Sequence, residues 1–135
     1  LPIYDRAVAH HLDPAPHLVV TDRGSRVSTI DLFSDRWVLV SGPDGNDWSN
    51  RVRRSAAARV LGVVWHAIQP AGDLEDAAGR FSAAYGVGAD GAVLIRPDGF
   101  VAWRQATSAD GAKGLDDALE RLWIRTAVNA GEHVQ

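Results

Sequence analysis

The residues of this chain whose types and spacing suit chemistry are few. Cysteine is absent from all 135 residues, which excludes disulfides, thiolate metal sites, cysteine nucleophiles and thiol redox chemistry together. Among the histidines, His10, His11 and His17 fall in or next to a polar N-terminal stretch. Adjacent histidines point apart in an extended chain and no carboxylate motif surrounds these, so a solvated arm explains them better than a metal site. His66 stands alone in an apolar run, without a serine and an aspartate at legible spacing, and founds no triad. Ser41-Gly-Pro-Asp-Gly shares with a nucleophile elbow only a serine at a strand end, because G-x-S-x-G is absent. No G-x-G-x-x-G follows a strand, as dinucleotide binding requires. Catalytic, metal-binding and cofactor-binding residues are therefore expected to be absent from this segment.

The charged clusters have plain explanations too. Asp73, Glu75 and Asp76, and later Asp116 and Asp117, stand at expected helix starts, where they favour the macrodipole. Arg51, Arg54 and Ser55 share a face of a helix that also carries Arg53 and Arg59. That face reads as a solvated surface, with docking onto acidic residues of a preceding domain or a second subunit as the alternative. Trp48, Arg51, Arg54 and Trp103 are the interface candidates. A net charge of −3 gives no general attraction to phosphate backbones, so nucleic acid is not an expected partner. No apolar run approaches the roughly 20 residues of a membrane-spanning helix, and the N-terminus lacks a signal-peptide layout, which points to the cytoplasm. The chain contains no Met; a piece of a larger protein, a processed chain or a trimmed product is expected.

The elements that must position these residues follow from periodicity and turn chemistry. Residues 1–16 read as an arm or interdomain linker, 17–130 as one domain and 131–135 as a frayed tail. His17 to Thr21 and Arg26 to Ser28 make a hairpin, and Ser28 or Thr29 caps a helical turn at Asp31 to Phe33. Trp37 to Ser41 is a continuous apolar run, the pattern of a strand buried on both faces. After the breakers Gly42 to Asp47, one helix is expected through about Gly62, with Trp48, Val52, Ala56 and Val60 inward and Arg51, Arg53, Arg54 and Arg59 mainly solvated. Val63 to Gln69 is a second buried strand, and Leu74 to Tyr85 a helix facing inward through Leu74, Ala77, Ala78, Phe81 and Tyr85, ended by Gly86 and Gly88.

Ala92 to Arg96 and Phe100 to Arg104 form an antiparallel hairpin, with Pro97-Asp98-Gly99 as its turn. Alternation puts Phe100, Ala102 and Arg104 on one face and Val101 with Trp103 on the other. Arg96 is expected to pair with a local carboxylate or cap a carbonyl, and Trp103 to anchor the core. A last helix, Leu115 to Asn129, faces inward through Leu115, Ala118, Leu119 and Leu122. Two strands separated by a helix are parallel neighbours, so the order implies an α/β sandwich, a mixed sheet with helices on both faces.

That element order is the thioredoxin-like order. Tyr85 to Val101, YGVGADGAVLIRPDGFV, resembles the thioredoxin segment in which a Tyr-Gly-Val/Ile closes a helix and two strands meet at an Asp-Gly turn. The resemblance lacks the working parts. The loop that would hold Cys-x-x-Cys reads GPDGNDW, and Gly91 stands where the family places a cis-proline. DLFSDRWVLVSG, Asp31 to Gly42, together with VLIRPDGFVAWR, which contains the structural motif Arg96, Pro97, Asp98, Gly99, Trp103 and Arg104, resembles more narrowly the C-terminal thioredoxin-like domain of FAD-dependent aromatic hydroxylases, the group of phenol hydroxylase and the polyketide-tailoring monooxygenases.

The resemblance implies a non-catalytic domain with a structural, interdomain-packing or oligomerisation role. It also implies FAD and NAD(P)H held by preceding domains of a parent aromatic hydroxylase, and those domains or a second subunit, as in a homodimer, as partners. The alternative is a stand-alone thioredoxin-like protein that binds a small molecule or a protein without redox activity through Gly42 to Trp48. A thiol-free relative of the peroxiredoxins is a third reading.

Overall fold

The computed structural model describes residues 14–33, 35–45, 47–69, 74–75, 80–107 and 113–134. Expectations placed on residues 1–13, 70–73, 76–79 and 108–112, among them His10, His11, Asp73, Asp76, Ala77 and Ala78, lie outside these. The centre is β3 (Val38–Ser41), buried at every residue. It runs parallel to β4 (Val64–Gln69) and antiparallel to β6 (Ala92–Ile95), which is also wholly buried. β7 (Val101–Gln105) closes that side against β6.

On the far side, β1 (Val19–Asp22) and β2 (Ser25–Ser28) form an antiparallel hairpin. Its turn holds Arg23 and Gly24 at φ of 50° and 89°, the two positive values a twist-matched two-residue turn needs. A two-residue strand, β5 (Leu74–Glu75), joins this hairpin to β4, giving one sheet in the order β2-β1-β5-β4-β3-β6-β7.

Period-2 alternation divides the core between the two faces of the sheet. Val38, Val40, Val93 and Ile95 face one way with Phe33, Phe81 and Tyr85, beneath α1 (Thr29–Leu32) and α4 (Phe81–Tyr85). Leu39, Ala92 and Leu94 face the other way with Trp48, Val52, Leu115 and Leu119. α2 (Asp47–Arg54), α3 (Ala56–Leu61) and α5 (Lys113–Val134) cover that side. The fold is the thioredoxin-like sandwich expected, with helices on both faces. None of the described helices is long and apolar enough to cross a membrane.

Four local expectations are corrected. The helix after the breakers is two helices, because Ser55 adopts an extended conformation and its Oγ accepts the Ala58 N–H at 3.1 Å as an N-cap. The break shifts the helical phase, so Ala57 and Ala58 are buried while Ala56 and Val60 are exposed. Leu74 belongs to a strand, opposite Asp22 and Ile68, because a two-residue strand is too short for its period to register. The alternation through β7 is interrupted by a β-bulge: Leu94 pairs Trp103 but Ile95 pairs Val101. One residue of slip turns Val101 to the Phe33 side and leaves Trp103 on the Trp48 side, so the two do not share a face. Finally, α5 continues to Val134 instead of ending at Asn129.

The stretch read as an arm is, from Pro14 onward, tied into the fold. Pro14 bridges to Phe100, Ala15 is buried and donates its N–H to Gly99 O at 2.8 Å, and Pro16 O accepts both the Tyr85 hydroxyl at 2.6 Å and Thr29 Oγ1 at 3.1 Å. Burial raises the Tyr85 phenol above its ordinary value of 10.0, and a hydrogen bond with the Thr29 side chain partly opposes the shift. The folded state thus favours the neutral phenol. That contribution is complete below the unfolded value and is lost as pH rises through the folded one. Urea midpoints are expected to decline above about pH 10, the ordinary tyrosine value. A Tyr85→Phe variant, about 1 kcal/mol less stable at neutral pH, is expected to lose this part of the decline; an identical alkaline slope in wild type and variant would refute the assignment.

Candidate functional site

Two places can be weighed as sites: the loop beyond β3, where the fold elsewhere carries its thiols, and a groove between the helices of the second face. The loop is closed. Gly42 N–H donates to Gly91 O at 3.2 Å and Asp44 N–H to Ala89 O at 2.8 Å, which stitches it to the loop before β6. The indole of Trp48 fills the space beneath, 0% exposed, with Nε1 donating to Asp90 O at 2.8 Å. A Cβ at Gly42 would stand 2.5 Å from Ala89 O, so even the smallest side chain overlaps backbone there. Trp48, set among the interface candidates, is thereby removed from the surface.

The other catalytic-looking residues are placed apart. Ser41 is buried and its Oγ accepts Trp65 Nε1–H at 2.9 Å. His66 lies against Phe33, ring centroids 6.4 Å apart, on the opposite face of the sheet. No dyad forms between them. His17 bonds Ser28 Oγ at 2.7 Å through Nδ1 and fastens the first hairpin. The letters G-x-G-x-x-G do occur, from Gly86 to Gly91, but they lead from α4 into β6. Helix into strand is the reverse of the dinucleotide arrangement.

The hairpin motif shapes its own surroundings. Arg96 pairs with the Asp98 carboxylate, as expected of it, and Asp98 Oδ1 accepts the Phe100 N–H at 3.3 Å around Gly99, at φ 87°. Arg104 Nη1 donates to Tyr85 O at 3.1 Å, at the C-terminal end of α4, where a cation is favoured. Trp103 is half-buried and meets Trp48 edge to face at 5.8 Å.

The groove, about 480 Å³, is lined by Arg51, Arg54 and Ser55 on one wall and by Asp116, Glu120 and Trp123 of α5 on the other. Arg51 is not the solvated residue that its spacing suggested. Its side chain is 13% exposed, pairs with Asp47 at 3.1 Å and lies 4.3 Å from the Trp48 ring centre. Trp48 and Arg51 are in effect stacked, a contact that only the depth of the indole makes available. Nη1 of Arg51 is buried and meets no acceptor among the described residues. Among the described residues, no glycine-rich strand-to-helix turn of the kind that seats a dinucleotide pyrophosphate opens onto this groove.

Comparison with known proteins agrees with the thioredoxin-like frame. A family model for the C-terminal domain of aromatic-ring hydroxylases matches residues 13–125. The tetracenomycin A2 monooxygenase-dioxygenase of Streptomyces glaucescens is 41% identical over 117 residues, covering 86% of this chain and 21% of that protein. The crystal structure of aklavinone-11 hydroxylase in a ternary complex with FAD and aklavinone, 39% identical, superposes with a TM-score of 0.70 over 82% of this chain and 20% of that one. A putative thiol:disulfide interchange protein DsbE from Chlorobium tepidum, 18% identical, shares the fold with a TM-score of 0.58 over 82% of this chain and 96% of that one. The chain thus spans about a fifth of the length of the hydroxylases it matches. With its sheet order and its hairpin motif, this match over most of the chain means that the protein belongs to the family of C-terminal domains of aromatic-ring hydroxylases.

Proposed function

We propose that this domain is the non-catalytic C-terminal part of a FAD-dependent aromatic-ring monooxygenase of the polyketide or phenol type. FAD and NAD(P)H are handled by the preceding domains of the same chain, and this domain contributes stability and packing against them or against a second subunit. One observation carries the reading: the place where this fold otherwise performs redox chemistry is occupied by the fully buried Trp48 indole, hydrogen-bonded to Asp90 O and closed over by Gly42 to Gly45.

The test replaces the polar groups that remain at that place, Ser41→Ala and Asp44→Ala, in the intact parent enzyme. Hydroxylation per bound FAD is expected to stay within about twofold of wild type, a change in barrier too small for a lost catalytic contact. A fall of about tenfold or more with FAD content and fold unchanged, equivalent to ~1.4 kcal/mol of transition-state stabilisation, would make the loop part of the catalytic machinery.

A further inference from the structure

We propose that the groove between α2–α3 and α5 receives a segment of the flavin-carrying part of the parent polypeptide, one that offers an acidic side chain to Arg51 and Arg54 and a basic side chain to Asp116 and Glu120. The inference rests on the reading of this chain as one domain of a longer hydroxylase.

Hydrogen-bond accounting supplies the first reason. A buried guanidinium N–H without an acceptor is costly, and Arg51 Nη1 has none among the described residues. A carboxylate entering beside it would receive a charge-assisted hydrogen bond while Arg51 kept Asp47 on its Nε.

The second reason is the distribution of charge. Arg54 lines the same groove as Asp116 and Glu120, yet the ion pairs among the described residues are Arg51–Asp47 and Arg96–Asp98, and neither crosses it. A cationic wall and an anionic wall left unjoined across about 480 Å³ complement a segment carrying both signs in opposite order. Trp123, 38% exposed on the anionic wall, adds an aromatic anchor of the kind that dominates contact energies.

The third reason selects the occupant. About four-fifths of the length of the matched hydroxylases lies outside this domain. A segment on the same chain meets the groove at an effective concentration on the order of millimolar, so one small groove suffices to hold it. A second copy lacks that advantage and needs about 800 Å² from each partner for a stable contact.

The experiment is oxidative footprinting of Trp123 in the FAD-loaded parent enzyme, in its Arg54→Glu variant and in the 135-residue chain, each at two protein concentrations. Arg54 and Trp123 are exposed and their side chains hold no hydrogen bond or ion pair among the described residues, and circular-dichroism melts of the Arg54→Glu chain check that its fold is kept. Trp123 is expected to react several-fold more slowly in the parent than in the 135-residue chain, at both concentrations. Arg54→Glu is expected to return the parent to the faster rate.

Equal rates in parent and chain, protection that persists in Arg54→Glu, or protection that grows with concentration would each overturn the proposal, the last in favour of a second copy. These readouts are independent of hydroxylation. Loss of turnover in Ser41→Ala or Asp44→Ala would strike the structural reading of the domain, and free access to Trp123 would strike only the groove.

Discussion

Trp48→Ala is expected to destabilise the chain by about 3–5 kcal/mol, a large share of the ~5–15 kcal/mol that holds a typical domain folded. The indole is 0% exposed and packs with Leu39, Val52, Leu94 and Leu115 in the core of the second face. Its removal leaves a cavity that β3 and β6, buried at every position, cannot collapse to fill. It also leaves Asp90 O without its indole donor, takes the edge contact from Trp103 and strips the ring from beneath Arg51. Trp48→Phe separates these terms. It keeps most of the apolar volume but not the Nε1 donor, so it is expected to fall between the two, with at least the ~1 kcal/mol of a lost hydrogen bond. Urea unfolding of the three chains reads the order directly. A Trp48→Ala loss below about 1 kcal/mol, the size of an ordinary point mutation, would mean that Gly42 to Gly45 sinks into the vacated space and that the indole does not prop up the closed loop.

Much of the fold is legible from local pattern. The runs at Val38–Ser41 and Ala92–Ile95 are continuous and apolar because neither face of those strands meets water. The Pro97-Asp98-Gly99 turn announces itself by chemistry that no other conformation needs. What escapes is set by partners distant in sequence. Leu74 carries no strand signal of its own and is drawn into the sheet by Asp22 and Ile68. The bulge before Trp103 is a property of the pairing with Leu94 and Ile95, so strict alternation in Phe100 to Arg104 gives the wrong partner for Trp103.

The groove is hidden for the same reason. Asp116 reads as an ordinary helix-start acid and Arg51 as a solvated cation, and only the packing of α5 beside α2 and α3 brings their walls together. Trp48 shows the limit from the other side. Its four-residue spacing with Val52 points it inward, while its place at the end of the Gly42 to Trp48 loop suggested a contact surface, and burial decides for the spacing.

Gly91→Ala is expected to cost about 1–3 kcal/mol, toward the upper end or beyond, because the atoms in the way belong to the backbone. A Cβ at Gly91 would overlap Ala106 O and come within 2.6 Å of Gln105 O. Three segments converge there: Gly88 N–H donates to Ala106 O at 2.7 Å, Gly91 N–H to Gly88 O at 3.0 Å and Gly42 N–H to Gly91 O at 3.2 Å. Moving the end of β7 aside to admit a methyl group strains the first of these, and through Gly91 it loosens the loop that lies over Trp48.

Gly91→Pro, which would install the residue this fold elsewhere carries before the equivalent strand, is expected to be worse still. It adds more atoms to the same crowded spot and removes the N–H that Gly88 O accepts, a further ~1 kcal/mol. Thermal and urea midpoints should therefore rank wild type above Gly91→Ala and Gly91→Pro lowest, so that restoring the proline moves the domain away from a stable thioredoxin-like state. The reason is local: Gly91 sits against the end of β7 and its carbonyl accepts the Gly42 N–H, which leaves no room for a larger residue. A Gly91→Ala chain with the wild-type midpoint would show that the Ala106 carbonyl yields without cost, and the closure over Trp48 would then rest on the indole alone.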